Sequence, residues 1–147
     1  MRDSDDRGSA SLEFLVAGLF LLVPVVYLIV ALGLIQDGTL GVEAAARHTA
    51  RAIGLATDAA DADRRVDLVL HQVAEEYGLD LDGLAVGLTC PDASGACPSS
   101  GATLTVTVRA RIPLPLVPPI LGLDDLATVP VEAQAVQKTS RLWGTSP

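Results

Sequence analysis

Residues 14–35 read FLVAGLFLLVPVVYLIVALGLI, 22 positions without a charged side chain. As an α-helix they span about 33 Å at about 1.5 Å per residue, enough to cross a hydrocarbon core about 30 Å thick. Burying such a helix on every side inside a protein would need a large apolar shell. The rest of this 147-residue chain is too short and too polar to supply one. The run therefore predicts a membrane-inserted helix. Pro24 lies within it, removing one backbone hydrogen bond; a kink is expected there, which membrane helices tolerate better than soluble ones.

The composition agrees with this reading. Half of the residues are apolar, yet aromatic residues make only 3%, and the mean hydropathy is positive at +0.43. A soluble core of this size normally uses more aromatic bulk. The length allows about one ordinary domain, which disfavours multi-domain enzymes and repeat arrays. With 10 Lys+Arg against 18 Asp+Glu, the net charge is −8, so the chain lacks the basic footprint of a nucleic-acid binder.

Two features bear on how the helix sits in a membrane. Ala31-Leu32-Gly33 puts small residues, Ala31 and Gly33, where a signal peptidase would look, but the run is longer than the 7–15 residues of a signal h-region. An uncleaved anchor is the favoured reading. Arg2 and Arg7 precede the helix while Arg47 and Arg51 follow it, so the positive-inside comparison is close to a tie. The expected orientation places the short N-terminus in the cytoplasm and the C-terminal part outside.

The polar edge before the run reads Arg7-Gly8-Ser9-Ala10-Ser11-Leu12-Glu13-Phe14. Gly8 has no side chain to obstruct an extended backbone in a protease groove. Glu13 stands at the margin of the hydrocarbon, where an ionised carboxylate costs roughly 2–3 kcal/mol unless it finds a partner. This pattern resembles the processing site of type IV pilins and pseudopilins, in which a prepilin peptidase cuts after the Gly and the Glu is the fifth residue of the mature chain. The cut would fall between Gly8 and Ser9, and the new Ser9 amine of one subunit would partner Glu13 of a neighbour. With Phe14 after the Glu, the segment 7–33 is similar to the TadE-like family of tight-adherence (Flp) pilus assembly proteins, which are pseudopilins or minor pilins and not enzymes. An Ala-Arg-rich stretch like residues 45–52 also follows the anchor in that family. The resemblance covers residues 7–53, and beyond them it is only architectural. Major Flp pilins are much shorter and usually carry Tyr after the Glu, so Phe14 and the large C-terminal part favour the minor class.

Beyond the run, the Ala-rich residues 39–53 predict that the helix continues to about Ile53, with a bend possible at Gly38 or Gly41. Leu40, Val42, Ala46, Ala50 and Ile53 form a small-residue face, and Glu43, Arg47 and Arg51 lie on another at i, i+4 and i+8. That small face either contacts other subunits or packs on the chain's own domain. A second amphipathic helix is expected over about 61–77, with Asp61 or Asp63 at its start and Gly78 stopping it. Strands are expected at 84–89, 103–112 and 128–137, forming a small antiparallel sheet covered by the second helix or by the outer half of the first. The fold class is thus α+β and pilin-like. Its expected organisation is a cytoplasmic leader at 1–8, a helix at 9–53 with the membrane segment at 14–35, and an extracytoplasmic domain at 54–147. The proline-rich apolar connection 113–123 reads as a core lid, a membrane-surface contact or a partner site.

Cys90 and Cys97 bracket a turn-rich PDASGA and are expected to form a disulfide, which implies an oxidising compartment; two reduced thiols are the alternative. His48 and His71 lack companions at metal-ligand spacing, so no metal or cofactor is expected. No phosphate loop or nucleophile motif is present, and the scattered carboxylates read as solvated. The expected partners are membrane lipid, a prepilin peptidase, other pilus subunits and the assembly platform, with no nucleic acid. An uncleaved anchored binding module and a secreted domain released near Gly33 are the rival readings.

Overall fold

The computed structural model describes the backbone of residues 6–92, 95–117 and 126–145, with side chains described from Leu12 onward. Its first element, α1, is one continuous 50-residue helix, Asp6–Leu55. Pro24 sits inside α1 without ending it, although it leaves the Phe20 carbonyl without its helical donor. A second helix, α2, spans Ala59–Tyr77. Three strands follow, β1 at Ala85–Thr89, β2 at Thr103–Pro113 and β3 at Thr128–Lys138, paired antiparallel in the order β1-β2-β3. The fold is α+β, as the alternation of patterns along the chain predicts.

Strand β2 is central and its side chains alternate strictly. Leu104, Val106, Val108, Ala110 and Ile112 are buried, while Arg109 and Arg111 are exposed on the other face. The apolar face packs on the outer half of α1, whose Val42, Ala45, Ala46, Ala50 and Ile53 belong to the same core. Of the two ways of covering the sheet, the structure uses α1; α2 lies mainly against α1 itself. Within the expected small-residue face, Val42, Ala46, Ala50 and Ile53 are buried against the chain's own domain, whereas Leu40 is 54% exposed and lies outside it. Leu40 is two residues from Val42, about 200° around the helix, so it points away from the core.

Three glycines of α1 allow close approach of its neighbours. A Cβ on Gly38 would meet Ile112 Cγ1 at 2.8 Å, and one on Gly41 would meet Tyr77 Cβ at 2.7 Å. One on Gly54 would meet Gln137 Cγ at 2.6 Å. These contacts bring β2, α2 and β3 respectively against the helix axis.

Helix α2 begins earlier than its apolar spacing suggests, because its N-cap is Asp58. The Asp61 N–H donates to Asp58 Oδ1 at 2.8 Å, and the Thr57 N–H donates to Asp61 Oδ2 at 3.2 Å. Its end at Gly78 is as expected: Gly78 adopts φ 62°, and the Leu79 N–H donates to the Ala74 carbonyl at 3.0 Å. After β3 the chain returns to the end of α1. The Ser140 N–H donates to the Gly54 carbonyl at 2.8 Å, and the Gly144 N–H donates to the Thr57 carbonyl at 2.8 Å. Cys90 and Cys97 form a disulfide that closes the β1–β2 connection.

Candidate anchor and processing segment

Along α1 two environments share one helix. From Leu12 to Leu34 the large apolar side chains face outward, Phe14 and Phe20 each being 79% exposed. Beyond them the helix enters the core just described. Among the described residues, α1 holds the one helix long and apolar enough to cross a membrane. The boundary is marked by Thr39, whose hydroxyl donates to the Ile35 carbonyl at 2.7 Å, and by the polar pair Gln36 and Asp37.

Gly8 and Ser9 lie in the first turns of α1, where the backbone is helical. Entry into a protease groove in an extended form would therefore require these turns to unwind. Glu13 is exposed and forms no ion pair with any described residue, leaving its carboxylate open to a partner from another chain. Phe14 follows it on the bare stem.

The charged face of α1 is solvated: Arg47 donates to Glu43 at 3.1 Å, and both side chains are largely exposed. His71 faces Asp67 at 3.7 Å on the open side of α2, and among the described residues no group of three or more potential metal ligands converges. Asp61 collects Arg64 and Arg65, at 3.3 and 2.8 Å. Desolvation, the largest single influence on Asp61, pushes its pKa up. The Thr57 N–H, the hydrogen bond from Arg65 and the charges of Arg65 and Arg64 together outweigh it and hold the carboxyl below its ordinary value.

The sheet face turned away from α1 is open. Arg109 donates to Glu132 at 2.6 Å across β2 and β3, and Gln134 donates to the same carboxylate at 3.1 Å; these bonds lower the Glu132 pKa. Asp80, Gly83, Arg109, Arg111 and Glu132 border a shallow concavity there. Sequence reasoning misses this surface, because alternation in a strand shows which residues face outward but not what gathers beside them. No family model, curated protein or solved structure matches the chain.

Proposed function

We propose that this chain is a pseudopilin or minor pilin of a tight-adherence (Flp-type) pilus assembly or secretion apparatus, and not an enzyme. A prepilin peptidase cuts it between Gly8 and Ser9. Residues 14–35 hold it in the cytoplasmic membrane with the N-terminus inside and the α+β head outside. Other pilus subunits and the assembly platform are its partners.

One observation carries this reading: a bare apolar stem runs without a break into a helix that forms the core of a small head. Such a stem can leave lipid and repack against neighbouring stems while the head stays folded, because the two halves of α1 use separate contacts. The motif Gly8, Ser9, Glu13 and Phe14 at the stem's tip supplies the processing site and the charge that a neighbour's new amine would meet. The disulfide between Cys90 and Cys97 agrees with a head outside the cytoplasm. The alternative is an uncleaved, single-span anchored binding module, and the open concavity beside Arg109 and Glu132 is the feature in its favour.

The test is the intact mass and N-terminal sequence of membrane-extracted protein from cells with and without a prepilin peptidase. A chain beginning at Ser9 only when the peptidase is present is the expected result. A chain that keeps residues 2–8 in its native cells would overturn the proposal in favour of the binding module, and a start near Leu34 would mean a cleaved signal.

A further inference from the structure

Strand β2 loses one of its neighbours before it ends. The Ala102 carbonyl accepts from the Thr139 N–H, and the Leu114 N–H donates to the Ala127 carbonyl, so the even-numbered residues of β2 turn their backbone groups towards β3. The odd-numbered ones turn theirs towards β1, which begins at Ala85, opposite Arg109. Arg111, two residues further on, has no strand beside it. Gly83 would stand opposite, but its N–H donates to the Asp80 carbonyl at 3.1 Å in a turn. The Arg111 N–H and guanidinium are therefore both without a partner among the described residues.

A cavity of about 200 Å³ lies in this gap and reaches down to α1. Its walls include Leu34 and Asp37 of α1, Tyr77 at the end of α2, Asp80 in the turn that follows, and Arg111 and Pro113 of β2. Pockets for drug-sized ligands hold about 300–1,000 Å³, so this one has room for a small polar group and not for a whole lipid. Its height is set by α1. Leu34 belongs to the apolar run and is 43% exposed, and Asp37 stands two residues past the end of that run, about 3 Å further along the axis. With residues 14–35 in hydrocarbon, the cavity opens into the polar layer of the bilayer, roughly 5–7 Å deep on each side.

The charges around the cavity are mixed. Arg111 is an exposed cation, and Asp37 and Asp80 are exposed carboxylates that form no ion pair with a described residue. Asp80 Oδ1 accepts from the Asp82 N–H at 3.2 Å, which leaves its other oxygen open. A purely anionic headgroup would meet two carboxylates for one guanidinium. A phosphate joined to a primary ammonium is matched at both ends: its oxygens accept from the Arg111 guanidinium and N–H, and its ammonium donates to Asp37 and Asp80.

We propose that this cavity binds a phosphoethanolamine group, the headgroup of a phospholipid in the leaflet nearest the head. This rests on the membrane reading of residues 14–35, not on cleavage or assembly. Exposed Leu34 offers the acyl chains a path down the stem. The bound lipid ties the head to the membrane surface, and a subunit leaving the membrane gives it up.

The experiment is native mass spectrometry of the full chain released from detergent micelles. The micelles carry equimolar phosphatidylethanolamine, phosphatidylcholine and phosphatidylglycerol with the same acyl chains. One phosphatidylethanolamine per chain should be retained, about tenfold in preference to the others, because choline has no N–H to donate and phosphoglycerol has no cation. Arg111→Gln and Asp37→Asn, both at exposed positions, should each reduce that retention about tenfold. Lys138→Gln, an exposed cation at the other end of β3, should not. Glycerophosphoethanolamine carries the same headgroup without acyl chains and should not displace the lipid at equal concentration. If it does, the ligand is a soluble phosphoethanolamine compound and the lipid source is wrong. Equal retention of the three lipids, or an unchanged preference in either variant, would overturn the site and leave the anchor standing. A chain that stays soluble without detergent and retains no lipid would overturn the anchor and the site together. Cleavage after Gly8 is read separately from the N-terminal sequence, so the pilin reading and the lipid site can each fail alone.

Discussion

Gly41 shows how little room the packing of α1 leaves. An added methyl would meet Tyr77 Cβ at 2.7 Å and Cγ at 2.9 Å, atoms close to the α2 backbone that cannot swing aside. Gly41→Ala should therefore destabilise the head by about 1–3 kcal/mol, the usual range for overpacking, despite the better helix propensity of Ala. At Gly33 an added methyl would meet nothing within 4 Å, so Ala should be accepted there with no loss. Denaturant unfolding of the full chain in detergent, followed by near-ultraviolet circular dichroism, compares the two. Thr49 makes the opposite case. It is fully buried, and its hydroxyl has no hydrogen-bond partner among the described residues. Thr49→Val keeps the shape and removes the unpaired group, so it should raise stability by about 1 kcal/mol in the same assay. Thr49 cannot be singled out from the sequence, and Gly41 stands out there only as a possible bend. A glycine in an Ala-rich helix reads equally as a bend or as a close approach, and only the position of Tyr77 decides between them.

At the level of elements, the start of α2 carries one pH dependence and the Arg109–Glu132 pair on the sheet another. The Asp61 pKa is lowered on folding, so its contribution is present above the unfolded value of about 3.9 and is lost as pH falls through the folded value. Asp61→Asn should be less stable than the parent at neutral pH, and the difference should vanish in acid; unfolding midpoints across this range measure it. Asp58→Ala, which removes the N-cap, should cost about 1 kcal/mol. The strands were legible because β2 and β3 alternate cleanly, and the expected ends agree with the structure to within a residue. The cap was not, since several aspartates stand within six residues and spacing alone favoured Asp61 or Asp63. Nor could the sequence decide which helix covers the sheet, because both offer an apolar face. The return of residues 140–144 to the end of α1 has no periodic signature at all, as backbone groups make its hydrogen bonds.

For the whole molecule, the proposed function turns on Glu13. If its carboxylate meets a neighbour's Ser9 amine at the hydrocarbon edge, Glu13→Gln should leave the cut after Gly8 and the fold of the head unchanged. Association of subunits should weaken by about 2 kcal/mol, roughly 30-fold, measured by cross-linking of mature protein in membranes. The stem was readable in the sequence because an uncharged run of 22 residues has a length and a polarity that few other elements share. The neighbourhood of Arg109, Arg111 and Glu132 was not, since it gathers residues from two strands and the turn at Asp80. The unbroken course of α1 has a mechanical consequence. Stem and head share one rod, so they share one rotational setting, and the head cannot turn about the membrane normal independently of the stem. Inserting a single residue after Ile35 would rotate everything beyond it by about 100° and displace it by about 1.5 Å. It would swing the head to another side of the stem and disturb the packing around Ala31 and Ile35, which are buried and half-buried within the apolar run.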